Sequence, residues 1–253
     1  MSDDAEWLVD LGHSRAKWAL SRGGNLLEQS VAACPVEQLQ ALVKCLTAQP
    51  APVWLSAQSN PENVNFINDL CRQTGVSLRL VSLGDPVLPV VPAYSTLGCD
   101  RWLALQWPRQ KAAGAFCVID CGTAVTVDLV DEHGQHQGGW ILSGWRLLLE
   151  GLPARARVLA AHSSRETDAI PDDETPAMDT ASALLGGALL QLRGGVMACL
   201  AAIERASGQR PALWLTGGDA QLLEPALNQA EPAWPVTIDP HLVLRGLGLA
   251  TRT

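Results

Sequence analysis

Basic residues are scarce in this chain: 18 Lys and Arg stand against 26 Asp and Glu, for a formal net charge of −8 and a pI near 5.1. With no basic stripe to displace counterions, the charge argues against broad nucleic-acid binding. Long apolar runs are missing too. The longest apolar helical stretch, around Ala181–Ala202, is broken by Gln191, Arg193 and the pairs Gly186-Gly187 and Gly194-Gly195, so no membrane span is expected. The opening Met-Ser-Asp-Asp-Ala-Glu has neither the positive nor the apolar region of a secretion signal, and a cytoplasmic protein is expected. Seven cysteines are present without metal-ligand spacing. Cys117 and Cys121 fall in one expected strand with no second pair, which reads as buried reduced thiols. Among aromatics, one Tyr and two Phe stand against nine Trp, a bias that nothing in the sequence explains. What remains is 253 residues, 47% hydrophobic and 17% charged: enough for two moderate domains, each with its own core.

Two stretches share one pattern. Leu8-Val9-Asp10-Leu11-Gly12-His13-Ser14 leads into Arg15–Leu20, and Val118-Ile119-Asp120-Cys121-Gly122-Thr123-Ala124 leads into Val125–Val130. Each is an apolar strand ending in Asp-x-Gly, a turn with small polar residues, then a second strand. Glycine lets backbone amides approach a phosphate, and the neighbouring hydroxyl adds a donor. An aspartate at the strand end can hold a cation, or its water shell, over that phosphate. One such turn is ordinary hairpin chemistry. Two in matching positions of a duplicated fold, facing each other, point to a nucleotide cleft.

The remaining pattern supports duplication. Strands are expected at Glu6–Leu11, Arg15–Ser21 and near Leu26–Ala33. A helix at Val36–Ala48 follows, with Val36, Leu39, Leu42, Val43 and Leu46 on one face. Then come a strand at Val53–Ala57, a helix capped by Asn60 with Pro61 at its first position, a strand at Val76–Val81, and a proline-bearing loop before a helix near Gly98. The second half offers strands at Ala115–Cys121, Val125–Asp131 and His136–Leu142, a helix over Ser143–Ala160, an acidic loop at His162–Met178 and a long helix near Thr180–Arg205. It closes with a strand at Ala212–Leu215, a helix from Ala220, a strand at Val236–Ile238 and a helical tail. The expected fold is α/β: two ribonuclease-H-like units of order βββαβαβα, residues 1–114 and 115–253, as in the actin, sugar kinase and chaperone ATPase superfamily.

Smaller motifs sit between these elements. Gly98-Cys99-Asp100-Arg101 opens a helix; alone, Asp100 and Arg101 are an ordinary helix start, while at a cleft mouth they supply an acid and a base. Gly138-Gly139 and Gly144 bracket a strand end, where glycine marks a bulge or a close approach. Thr216-Gly217-Gly218-Asp219, taken alone, is a plain β–α turn. The glycine pairs of the long helix suit close helix packing, within one subunit or across a dimer.

These motifs resemble those of type III pantothenate kinases. The family's Asp-x-Gly-Asn-Ser/Thr-x-x-Lys is matched by Asp10, Gly12, Ser14 and Lys17, and its Gly-x-Asp-Arg by Gly98, Asp100 and Arg101. Asp-x-Gly-Thr-Ala-x-Thr corresponds to Asp120, Gly122, Thr123, Ala124 and Thr126. Gly-Gly-x-Ile-x-Pro-Gly is kept at Gly138, Gly139, Ile141 and Gly144, and a helical Thr-x-x-Ala-x-x-x-Gly at Thr180, Ala183 and Gly187. Three positions depart from the pattern. His13 replaces Asn, Ser143 replaces proline, and Val91 stands where the family has Tyr, with Tyr94 three residues later.

The resemblance implies phosphorylation of pantothenate by ATP with Mg²⁺, at the head of coenzyme A biosynthesis. It implies Asp100 as the base that takes the alcohol's proton, and Gly98, Cys99, Asp100, Arg101 and Thr180 around pantothenate. ATP would meet Asp10, Leu11, Gly12, His13, Ser14, Arg15, Ala16, Lys17 and Thr123. Asp10 would position Mg²⁺ through water, and Asp120 would hold a monovalent cation, potassium or ammonium. A homodimer is implied, with Thr180 reaching the substrate pocket, possibly across it. Two alternatives stay open: a kinase of the same fold acting on another small alcohol, and a non-catalytic nucleotide-binding relative.

Overall fold

The computed structural model describes residues 5–58, 61–155 and 175–253. The cap expected at Asn60, the end of the helix expected to reach Ala160 and most of the acidic loop lie outside the described residues. The chain forms two compact units: one of residues 1–115, 130–137 and 241–253, the other of 116–129 and 138–240.

In the first unit, β1 (Ala5–Leu11) pairs antiparallel with β2 (Arg15–Arg22), setting Asp10 opposite Lys17 and Leu11 opposite Ala16. The expected third strand is broken into β3 (Asn25–Leu26) and β4 (Ala32–Pro35), both paired to β2. The break has a local cause. The Ser30 hydroxyl accepts the Leu20 N–H at 2.8 Å and donates to the Leu27 carbonyl at 2.6 Å, standing in for ladder bonds over a short 3-10 turn. On the other side, β5 (Val53–Ala57) runs parallel to β1 with Ser56 beside Asp10, and β6 (Leu78–Leu80) runs parallel to β5.

Alternation along β1 divides the sheet's two faces. Trp7, Val9 and Leu11 pack with Leu42 and Leu46 of α1 (Gln40–Ala48) and with Ile67 and Cys71 of α2 (Pro61–Thr74). Helix α1 starts four residues later than expected, because Val36 and Leu39 are buried from the turn before it. The opposite face carries α3 (Cys99–Lys111) and the final helix, which packs back onto this unit.

The second unit has a five-stranded sheet. Its order is β11 (Val236–Ile238), β10 (Ala212–Thr216), β7 (Phe116–Cys121), β8 (Ala124–Val130) and β9 (His136–Ser143). After β9 comes α4 (Trp145–Arg155), and Ser143, expected to begin that helix, ends the strand instead. The long α5 (Thr180–Ser207) is capped by Asp179, whose carboxylate accepts the Ser182 N–H at 3.0 Å and the Ser182 hydroxyl at 2.7 Å. It ends at Gly208, in the left-handed region at φ 71°.

By length and composition α5 could cross a membrane. Its apolarity has a nearer use: Leu189, Leu192, Val196, Leu200 and Ile203 close the core over Ile119, Val127, Leu213 and Leu215. Arg193 donates Nε–H to the Leu222 carbonyl at 2.8 Å. Of the helix glycines, a Cβ at Gly195 would meet Leu142 at 3.3 Å, while Gly187 and Gly194 have nothing within 4 Å. After a 3-10 turn at Ala220–Leu222 come α6 (Glu224–Gln229), β11 and then α7 (Leu242–Ala250) of the first unit.

Helices α3 and α7 touch backbone to backbone. A Cβ at Gly246 would stand 2.2 Å from the Leu103 carbonyl oxygen, and one at Gly248 2.4 Å from that of Gly24. Arg252 adds Nε–H to the Gly23 carbonyl at 3.0 Å.

Candidate active site

In the first unit the site is built at the end of β1 and the start of α3. The β1–β2 turn closes when Gly12 N–H donates to the Arg15 carbonyl at 3.0 Å. His13, Ser14 and Arg15 project to solvent from it, whereas the side chains of Leu11 and Ala16 are fully buried in the core. Of the residues expected around ATP, those two can contribute only backbone. Leu11 already spends its carbonyl on the Gln58 N–H at 2.9 Å. Asp10 is half-buried at the strand end, across from Lys17.

Gly98 precedes α3 with φ −58° and ψ 135°. Its missing side chain makes room for Asp100: a Cβ there would lie 2.6 Å from Asp100 Oδ1. That oxygen accepts the Arg101 N–H at 2.8 Å. Burial pushes the Asp100 carboxyl above the usual carboxylate range. The Arg101 amide and charge, Asp100's own amide and the nearby His13 oppose the rise without cancelling it.

Cys99 sits between two carboxylates. Burial raises its thiol to about 12, with the charges of Asp100 and Asp10 adding to the rise. Its Sγ–H donates to the Val81 carbonyl at 3.3 Å, so it packs as a neutral group and is no nucleophile. Asp10, His13, Cys99, Asp100 and Arg101 are thus brought together. Arg101 donates Nη1–H to the Tyr94 hydroxyl at 3.2 Å. Tyr94, three residues beyond the position where the resembled family has its tyrosine, therefore reaches Arg101.

In the second unit the β7–β8 turn repeats this chemistry one residue tighter. Gly122 N–H donates to the Ala124 carbonyl at 3.1 Å, and Thr123 is exposed at the tip. Gly144 supports the turn from beneath, donating N–H to the Thr123 carbonyl at 3.1 Å; a Cβ there would stand 2.4 Å from the Gly122 and Thr123 oxygens. Gly139 similarly presses on β8, where a Cβ would be 2.1 Å from the Val127 carbonyl. Thr180 is the exposed first residue of α5.

The turn after β10 is more than a β–α connection. Thr216 lies beside Asp120 in the parallel ladder. Gly217 has φ 89°, and a Cβ on it would be 2.4 Å from the Cys121 carbonyl and 2.6 Å from Asp120 Oδ1. Asp219 N–H donates to the Cys121 carbonyl at 3.1 Å. Burial first, and then the charges of Asp120 and Asp219, push the Cys121 thiol up, which locates both carboxylates near it. Gly217 and Asp219 join Asp120 through sheet pairing between strands far apart in sequence. The local signal was the Thr-Gly-Gly-Asp that follows a strand.

The donors fit hard cations and not soft ones. Asp10 and Asp120 offer carboxylate oxygen, and the cysteines nearby are held neutral. Among the described residues no three His, Cys, Asp or Glu side chains gather to hold a metal.

Comparison with known proteins gives the family. The family model for type III pantothenate kinase matches residues 7–202. The chain is 36% identical over 250 residues to a type III pantothenate kinase of Pseudomonas aeruginosa, covering 96% of this chain and 97% of that one. A type III pantothenate kinase of Azotobacter vinelandii is 31% identical over 248 residues, with 96% of each covered. Among solved structures, the ethanolamine utilization protein EutJ of Carboxydothermus hydrogenoformans superposes with a TM-score of 0.55 at 11% identity, covering 100% of this chain and 91% of that one. MreB 5 of Spiroplasma citri bound to AMPPNP gives 0.52 at 9% identity, covering 98% and 96%. These two establish the fold, the duplicated ribonuclease-H-like architecture of actin-like ATPases. With the motifs in order along one chain, the Asp10 and Asp100 carboxylates gathered at Cys99 and relatives matching over nearly the full length, the chain belongs to the type III pantothenate kinase family.

Proposed function

We propose that this chain transfers the γ-phosphoryl group of ATP to the primary alcohol of pantothenate, giving 4′-phosphopantothenate for coenzyme A biosynthesis. The observation that carries the reading is Asp100. Its carboxyl is held above the usual carboxylate range by burial, beside Arg101 and within range of His13 on the first phosphate turn.

Phosphoryl transfer runs through a loose transition state, so the protein's work is positioning and charge. Asp100 orients the alcohol oxygen toward the phosphorus and takes its proton late, as the oxygen–phosphorus bond forms and ADP leaves. A base with a raised pKa is better matched to that proton. Arg101, with Tyr94 on its guanidinium, receives pantothenate's carboxylate through paired, charge-assisted bonds. Gly98 and Cys99 shape the floor beneath the alcohol, and Thr180 is a further pantothenate contact.

Around ATP, the amide of His13 and the side chains of Ser14 and Lys17 serve one phosphate turn, and Thr123 serves the other. Asp10 would hold the Mg²⁺ that comes with ATP, and Asp120, with the Gly217–Asp219 turn behind it, would hold potassium or ammonium. Bound cations neutralise phosphate charge that an acidic chain would otherwise repel. The working form is a cytoplasmic homodimer; in each chain the duplication runs over residues 1–114 and 115–253, with α7 returned to the first unit.

A coupled assay of ADP release, with and without pantothenate, in Mg²⁺ and potassium and then sodium buffer, tests the reading. Pantothenate-dependent turnover that falls in sodium is expected. A silent enzyme with saturating substrates and both cations overturns it.

A further inference from the structure

Residues 87–97 form no helix or regular strand, yet the middle of this segment is fastened by several hydrogen bonds. Val90 N–H donates to Gln106 Oε1 at 3.0 Å and its carbonyl accepts Trp102 Nε1–H at 2.8 Å. Gln106 also donates to the Trp102 carbonyl at 2.9 Å, and both side chains are buried on α3. One residue on, the segment bonds to the β8–β9 turn of the same unit. Val91 N–H donates to the Gly134 carbonyl and His136 N–H to the Val91 carbonyl, each at 3.0 Å.

The His136 ring makes contacts of its own. Its Nδ1 accepts the Ala93 N–H over a long 3.5 Å, and its ring lies 5.8 Å from that of Tyr94, tilted by 44°. Only 3% of His136 is exposed, whereas Tyr94 is 39% exposed and carries the hydroxyl that accepts from Arg101. Residue 136 therefore touches the segment at three places, its backbone at Val91 and its buried imidazole at Ala93 and Tyr94, leading to the guanidinium at the site. His136 belongs to none of the motifs that place the chain in its family.

We propose that His136 is a positioning residue for the acceptor: it seats Tyr94 against Arg101 and so aims the guanidinium at the acceptor's carboxylate. The assignment rests on the function proposed above, in which Arg101 receives that carboxylate. A long, many-rotamer side chain costs binding when it must be ordered on arrival, and a seated phenol removes part of that cost beforehand. Loss of the seat thus weakens acceptor binding and leaves nucleotide binding alone.

The test uses the full chain with three substitutions. His136→Phe keeps a ring and loses the acceptor atom, His136→Asn keeps an acceptor near Nδ1 and loses the ring, and Tyr94→Phe removes the hydroxyl bonded to Arg101. KM for pantothenate is expected to rise roughly 3- to 10-fold in His136→Phe and Tyr94→Phe, the order set by immobilising one side chain. KM for ATP and kcat should stay within about twofold, and His136→Asn should recover part of the loss. The double substitution should cost less than the two single effects combined, because both act through one contact.

Amide hydrogen exchange, which needs no substrate, should speed up at Ala93 and Tyr94 in His136→Phe and not in the second unit. Unchanged KM for pantothenate with faster exchange overturns the proposal alone. Equal losses in kcat and both KM values overturn it in favour of a structural role. Should wild type prove silent with pantothenate, the function reading falls and the acceptor role falls with it. The exchange result then decides whether His136 holds the segment at all.

Discussion

Replacing Gly98 with alanine separates catalysis from folding. The Gly98 backbone, at φ −58° and ψ 135°, is one that alanine adopts freely. The new methyl carbon would start 2.6 Å from Asp100 Oδ1, and an ordinary contact begins at 3.4 Å, so the carboxylate must retreat by about 0.8 Å. Misplacing a reacting group by this much costs on the order of 10²-fold in turnover, or about 2.7 kcal/mol of barrier. Folding sees two opposed effects. Gly→Ala stabilises by about 0.4–1 kcal/mol through the unfolded chain, and weakening the Arg101 N–H bond to Asp100 costs on the order of 1 kcal/mol. The net change stays within about 1 kcal/mol, a Tm shift of roughly 2–4 °C at most for a chain of this length. Steady-state ADP release and a thermal melt on the same preparation read the two. Turnover within threefold of wild type, at normal Tm, would refute the claim that Asp100's position matters.

Three other substitutions probe neighbouring parts. Asp100→Asn should lower turnover by about 10²-fold or more while ATP still binds by calorimetry. It should also raise stability at neutral pH. A carboxyl whose folded pKa exceeds its unfolded value loses stability as pH rises through that window, and the amide has nothing to lose. Denaturant midpoints of mutant and wild type should therefore converge below about pH 3.9 and separate above it; a gap that widens toward acid contradicts the burial account. His13→Ala should raise KM for ATP and shift the acid limb of the kcat profile upward, since a protonated His13 holds Asp100 down, whereas His13→Asn should preserve ATP use. An unmoved acid limb would remove His13 from the neighbourhood of the base. Gly217→Ala, at φ 89° with backbone 2.4 Å away, should destabilise by about 1–3 kcal/mol and weaken ATP binding; an unchanged melt and KM would contradict the packing against Asp120.

Both Asp-x-Gly turns were legible in the sequence because strand, turn and strand are local, each written within about a dozen residues. The two halves' strand order followed from period-two runs broken by helical ones. What escaped depends on side chains that replace backbone ladders, or on pairing across long separations. Ser30 split the third strand with its hydroxyl, and no alternation pattern records that. Gly217 read as an ordinary turn because its neighbour Asp120 is supplied only by the parallel β10–β7 pairing. Tyr94 stood in the wrong register by counting, yet the fastened segment delivers its hydroxyl to Arg101. Leu11 and Ala16 sat inside a binding motif, but strand alternation turns their side chains into the core.

The return of α7 to the first unit bears on how the chain is made. On the ribosome residues emerge in order, and most domains can close as soon as their own segment is out. Here the sheet face that carries α3 is finished only by Leu242–Ala250, whose Gly246 rests on the Leu103 carbonyl. During synthesis Leu8 and the α3 surface under Gly246 must wait, uncovered, while the whole second unit is translated. Clipping the last dozen residues would therefore injure the opening half of the chain first, and a nascent chain stalled before residue 240 would be one for a chaperone to hold.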